Sequence, residues 1–295
     1  MRTKSKNETN AEALLLVVVF IWALNAPLAK YGLSGLNVWV FNSIRFVCAA
    51  IVLAVIFFSR SNLTPPSKRD WWLLIRLGLI ANVIYQLAYI WGLKLTTAGN
   101  SAVLLSTAPI WTALINARLN KEPIPRRALS GMLVSFMGIL LIIVGSGKKL
   151  EFGSQALYGD LLSLGAAVLW AFNTTLQKPL LSRFSTMQLS VISISIGAIG
   201  LSVAALPELL RLSYASVEPR FWVIPIVSGV LSIAVSNVFW SYGVKHLGAR
   251  RTGVYNNLVP VIAFIASYVA LHENVLAIQA VGAAITVVGV GLARR

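Results

Sequence analysis

The chain has 295 residues, 57% of them hydrophobic and only 12% charged, with 25 Lys and Arg against 9 Asp and Glu. Soluble domains run nearer a quarter charged, so the balance excludes an ordinary soluble globule and points to an integral membrane protein. The net charge of +16 does not point to nucleic acid, because the basic residues fall in short bursts between apolar runs, where membrane topology demands them.

Apolar runs of membrane-spanning length predict ten helices, over 11–31, 37–59, 71–93, 98–119, 126–145, 158–178, 186–206, 221–244, 250–271 and 275–293. The connections are short, and no soluble domain fits between them. Arg2, Lys4 and Lys6 ahead of the first run resemble the start of a secretory signal. The segment IWALNAPLAK (21–30), however, is echoed inside the chain by LWAFNTTLQK (169–178), so the first run is read as a retained span. The gaps after odd-numbered spans hold 6 basic residues: Lys30, Lys94, Lys148, Lys149, Arg211 and Arg220. The even-numbered gaps and both tails hold 17. That bias places both termini in the cytoplasm, which requires an even number of spans, and predicts a multi-pass protein of the inner (plasma) membrane.

Span 1 carries Glu12 at its start and Lys30 at its end, 18 residues apart. That is roughly 27 Å, about one hydrocarbon thickness, and the two charges suit the helix dipole. Trp22 then lies near the membrane centre, with Asn25 one turn on and on the same face. Span 2 holds Arg45, roughly 12 Å from the outer end of its helix. Two roles are open for it. It either pairs with an outer acid such as Asp160 or Glu273, or snorkels outward, or it is an anion contact, for instance for a substrate carboxylate. In span 3, Asn82, Gln86 and Tyr89 make an i, i+4, i+7 stripe with Tyr85 beside it. Span 4 has Ser106, Thr107 and Trp111 around Pro109, which frees the carbonyl of Leu105 and makes either a kink or a hinge. Span 5 is apolar, with Gly131 and Gly138 two turns apart for close helix packing, as scaffold or as the face of a homodimer.

The second half repeats this order. At an offset of 148, Glu12 meets Asp160, Trp22 meets Trp170, Asn25 meets Asn173 and Lys30 meets Lys178. At an offset of 151, Gly92 meets Gly243, Pro109 meets Pro260, Glu122 meets Glu273, Gly131 meets Gly282 and Gly138 meets Gly289. In span 8, Asn237 and Trp240 stand where Gln86 and Tyr89 stand in span 3, and span 9 carries Tyr255, Asn256 and Asn257 before Pro260. The repeat of Arg45 is Ser193. Two halves of five spans, 1–150 and 151–295, face opposite ways because five is odd. The expected fold is therefore an all-α membrane protein of ten helices in two inverted five-helix repeats. Secondary transporters are built so, with the substrate near the midplane between halves. The Trp–Asn pairs either line that cavity or join helices by packing and hydrogen bonds.

No carboxylate falls near a membrane centre, so an intramembrane proton-carrying acid is not evident. A single cysteine, Cys48, and two end-placed histidines, His246 and His272, give no disulfide, metal or cofactor site. A membrane enzyme would need a nucleophile–base set at one depth, and none is seen.

Taken in order, the IWALNAPLAK pattern of span 1, Arg-Phe in NSIRFVCAAIVL, the prolines of LLSTAPIWTAL and YNNLVPVIAFI, and the glutamates of LNKEPI and LHENVL resemble the EamA-type members of the drug/metabolite transporter superfamily along nearly the whole chain. The resemblance implies a central cavity lined by spans 1, 3, 4, 6, 8 and 9, and efflux of metabolites or amino acids. The candidate substrate-binding set is Trp22, Asn25, Tyr85, Gln86, Tyr89, Trp170, Asn173, Asn237, Trp240, Tyr255 and Asn256. Pro109 and Pro260 are candidate hinges, and Arg45 a candidate anion contact. The alternative is a multidrug or nucleotide-sugar-like carrier of the same fold. Ala23 and bulky Leu24 replace the family's usual pair of small residues after the tryptophan, which bears on cavity shape.

Overall fold

The computed structural model describes residues 6–60, 64–119, 126–144, 155–247 and 276–293, with scattered positions between 252 and 269. The described elements are helices: α1 (Lys6–Gly32), α2 (Val38–Arg60), α3 (Lys68–Leu95), α4 (Ala98–Leu105), α5 (Ala108–Leu119), α6 (Arg126–Val144), α7 (Gln155–Leu181), α8 (Thr186–Arg211), α9 (Pro219–Leu247) and α10 (Ala277–Ala293), plus a 3-10 turn at Tyr214–Ser216. Seven helices among the described residues are long and apolar enough to cross a membrane, and α6 and α10 contain shorter apolar stretches, Leu129–Gly138 and Ala277–Gly289. The protein is thus an all-helical, multi-pass membrane protein. Most of the expected span 250–271 lies outside the described residues, as do Asn256, Asn257, Pro260, Glu122, Glu273 and His272.

Sequence chemistry sets the helix ends. Ser67 caps α3 in a reciprocal box with Asp70, Thr97 caps α4 and Ser185 caps α8, each hydroxyl accepting from a backbone N–H that has no partner within its helix. α1 starts at Lys6 rather than 11, because the polar residues before the apolar run continue the helix, with Glu8 in its favourable first turn. The expected single span 98–119 is two helices. The break falls at Ser106 and Thr107, ahead of Pro109, where both hydroxyls donate at 2.6 Å to carbonyls of the preceding turn, Val103 and Leu104. Large side chains such as Phe20, Phe58, Ile199 and Val203 point outward, a surface suited to lipid and not to water.

Two helices contain a wide turn. α3 is π-helical over Ile80–Ile84, and α9 over Gly229–Val235. At the offset of 151 the first of these falls on 231–235, inside the second. Such turns are rare and cluster at functional sites. The one in α3 also corrects the expected stripe. It turns Asn82 to α8, where Nδ2 donates to the Ser193 carbonyl at 2.8 Å, away from the side on which Tyr85, Gln86 and Tyr89 lie.

α1 packs on α9, α2 on α8, α3 on α7 and α6 on α10. In the last pair a Cβ on Gly138 would strike Thr286, and one on Gly289 would strike Ser135, so glycine is what allows the two backbones to touch. Ser135 Oγ donates to the Thr286 carbonyl at 3.0 Å across the same contact. The glycine faces expected as scaffold or dimer surface are therefore taken up within one chain, by each other.

A central cavity with a buried arginine

A cavity of about 100 Å³ opens where α1, α2, α3, α4, α7 and α9 converge. α1 contributes Trp22, Asn25 and Ala26, and α2 contributes Arg45. α3 supplies Tyr85, Gln86 and Tyr89. Ala102, Leu105 and Ser106 come from the end of α4, Trp170 from α7, Ser232, Ile233 and Asn237 from α9, and Val259 lies between α9 and α10.

One wall is aromatic. Trp22 and Trp170, equivalent residues of the repeat, meet edge to face with centroids 5.8 Å apart. Trp240 lies behind them, 5.1 Å from Trp22 and 6.5 Å from Trp170. Tyr85 touches Trp170 at 5.3 Å and stacks parallel with Tyr89. The Trp22 indole is oriented by its Nε1–H, which donates to the Ser232 carbonyl at 3.1 Å. That carbonyl belongs to the π-helical turn of α9, whose looser ladder leaves backbone oxygens open to such donors.

The opposite wall is polar and centred on Arg45, the largest fully buried side chain among the described residues. Its Nε donates to Ser228 Oγ at 2.8 Å and Nη1 to Asn42 Oδ1 at 3.0 Å. Two longer bonds run from Nη1 to Gln86 Oε1, 3.4 Å, and from Nη2 to Ser232 Oγ, 3.3 Å. Ser228 passes the chain on, donating to Asn25 Oδ1 at 2.6 Å. The ring of Phe41 lies 5.6 Å from the guanidinium carbon. Gly229 makes this reach possible: a Cβ there would collide with the Arg45 backbone, so only glycine lets α9 approach α2 so closely.

The expected pairing of Arg45 with Asp160 is corrected. Asp160 accepts from Thr96 Oγ1 at 2.6 Å, and among the described residues the hydrogen bonds of Arg45 end on uncharged oxygens. Nor does Arg45 snorkel, since 1% of it is exposed; the helix axis holds it too deep. Glu273 lies outside the described residues. Lys30, near the end of α1, donates from Nζ to the Thr96 carbonyl at the end of α3.

Of the expected binding set, Trp22, Asn25, Tyr85, Gln86, Tyr89, Trp170 and Asn237 meet at the cavity together with Arg45. Asn237 hydrogen-bonds its own helix at the Ile233 carbonyl. Asn173 is buried but does not line the cavity, because its Oδ1 accepts from Gln177 one turn on. Trp240 and Tyr255 belong to the cluster behind the aromatic wall. Pro109 sits in the first turn of α5, beside the break and off the lining. Ser228, Ser232 and Asn42 are absent from the expected set. A depth count finds the two serines: Arg45 is 7 residues into α2, and Ser228 and Ser232 are 9 and 13 residues into α9. At 1.5 Å per residue that is roughly 10, 14 and 20 Å from one face.

Comparison with known proteins follows the same lines. The profile of the EamA-like transporter family matches residues 9–144 and again 157–295. An uncharacterized transporter of Archaeoglobus fulgidus is 29% identical, over 95% of this chain and 95% of its own. A probable terminal-alkyne amino-acid exporter of Streptantibioticus cattleyicolor is 26% identical, over 96% of this chain and 92% of its own. A solved crystal structure at 18% identity shares the fold, with a TM-score of 0.69 over 96% of this chain and 97% of that one.

Proposed function

The chain belongs to the EamA-like transporter family, and from that premise we propose that it is a secondary transporter, not an enzyme, exporting small polar metabolites, amino acids foremost, across the inner membrane. The proposed topology is ten spans with both termini cytoplasmic, in two inverted halves, 1–150 and 151–295, that alternate access to one central site. The observation that carries this reading is the cavity itself, walled by helices of both sequence repeats and lined by Trp22, Asn25, Tyr85, Gln86, Tyr89, Trp170 and Asn237. Asparagine, glutamine and hydroxyl groups suit a polar solute, and aromatic faces suit its apolar body or its ammonium. The helix pairing supports the inverted arrangement. α1 on α9 and α3 on α7 exchange equivalent spans, as two-fold related halves do, while α2 on α8 and α6 on α10 each join a span to its own repeat.

The cavity has room for several water-sized groups, which suits a small polar solute such as an amino acid. The probable amino-acid exporter among the relatives supports the same class.

Counterflow in proteoliposomes tests the reading. Vesicles loaded with unlabelled amino acids should accumulate the labelled solute, and empty vesicles should not. Failure of every amino acid in a broad panel, with uptake of larger solutes instead, would replace this reading by the multidrug or nucleotide-sugar-like one. Repeating the assay under an imposed pH gradient reads proton coupling directly.

A further inference from the structure

Resting on the transport reading above, we infer that the cavity recognises its substrate by a carboxylate received on Arg45, and that a substrate ammonium is dispensable. The class carried is carboxylates of amino-acid size, amine-free acids included.

The guanidinium has a firmly held back and a loosely held front. At the back, Ser228 and Asn42 accept at 2.8 and 3.0 Å, and neither lines the cavity. At the front, Ser232 and Gln86 accept at 3.3 and 3.4 Å, and both line it. The front bonds are near the limit of useful geometry, and a guanidinium has more N–H donors than these four acceptors take. The weakly held edge is the Nη1–Nη2 edge, the one that grips a carboxylate with two parallel bonds. An entering carboxylate needs only to displace two long contacts, while the back contacts hold the fork in position.

Charge accounting gives the same answer. A buried cation whose hydrogen bonds end on neutral dipoles is costly in a membrane interior. The repeat does not require it, since Ser193 stands at the equivalent place. A carboxylate substrate supplies the missing opposite charge. Among the described residues the lining contains no Asp or Glu, so there a substrate ammonium meets amide oxygens and aromatic faces, which are weaker partners for it.

The test compares three ligands of one carbon skeleton: L-leucine, 4-methylpentanoate, which lacks the amine, and 3-methylbutylamine, which lacks the carboxylate. Affinity for the full-length protein in nanodiscs is read from tryptophan fluorescence, Trp22 and Trp170 being in the lining. Leucine and the acid should bind alike, and the amine about tenfold or more weaker, as the loss of a charge-assisted pair predicts. Arg45→Gln should close the gap between acid and amine, a change of selectivity that a merely structural role would not produce. Arg45→Lys should keep the order of ligands with reduced affinity. An amine binding as tightly as the acid to the wild-type protein overturns the inference while leaving transport in place, and needs no variant to fold. A gap that survives Arg45→Gln overturns it too. No binding by either carboxylate overturns it together with the amino-acid reading.

Discussion

The contact between α6 and α10 and the polar wall of the cavity treat the same internal repeat in opposite ways. Between α6 and α10, Gly138 faces Thr286 and Gly289 faces Ser135, and each member of the first pair stands 151 residues from a member of the second. The contact is its own mirror under the repeat. Gly92 against Ser163 and Gly243 against Leu15 form another exchanged pair of close approaches. Around Arg45 the exchange fails. Arg45 has Ser193 as its equivalent, and Ser228 and Ser232 have Leu77 and Ala81. Surfaces that only hold helices together keep the duplicated solution. Around Arg45 that solution is abandoned, as the proposed grip on a solute with one charged end requires, because a symmetric site presents the same groups to both ends of an asymmetric ligand.

Arg45→Met should break the comparison most sharply. Transport of a carboxylate substrate should fall by about 10- to 100-fold, the scale of one or two lost charge-assisted hydrogen bonds. Melting in detergent should move by about 1 kcal/mol or less, because removing the charge also removes its desolvation cost. A large fall in stability with transport retained would make Arg45 a structural residue. The symmetric contact should give the reverse pattern. Gly138→Leu and Gly289→Leu each put a side chain against backbone that cannot yield, and each should cost about 1–3 kcal/mol or more. The sharper statement is equality: the two losses should agree within about 0.5 kcal/mol when measured in the same detergent, and a one-sided loss would show that the contact is not shared evenly. Trp22→Phe keeps an aromatic face but deletes the donor to Ser232. It should weaken substrate binding about fivefold, near 1 kcal/mol, with little change in helix content.

Much of this is legible in the sequence, for definite reasons. Hydropathy and basic residues mark helix ends, so Val38–Arg60 and Arg126–Val144 fall within a residue of expectation. Trp22, Asn25 and Trp170 are visible as a repeated polar anomaly in apolar runs. The wide turn in α3 is not legible, since IANVI carries neither proline nor glycine. Asn82 is misplaced by ideal helix arithmetic for that reason. The partners of Arg45 escape for a different cause: a search for an opposite charge overlooks hydroxyls, and Ser228 and Ser232 betray themselves only when depth is compared between α2 and α9.

Asn25 and Asn173 give the smallest and most discriminating test. They are equivalents in the repeat and both are buried, yet their oxygens have different partners. Asn25 accepts from Ser228, whose own oxygen holds the back of Arg45, so it positions the guanidinium at one remove. Asn173 accepts from Gln177 on its own helix. Loss of either side-chain oxygen should cost about 1 kcal/mol, but in different quantities. Asn25→Ala should raise the KM for a carboxylate about fivefold. Asn173→Ala should leave the KM unchanged and appear only as a small loss of melting temperature. Equal effects on KM from the two substitutions would mean that the cavity uses both halves alike, and the division between symmetric scaffold and asymmetric site would not hold.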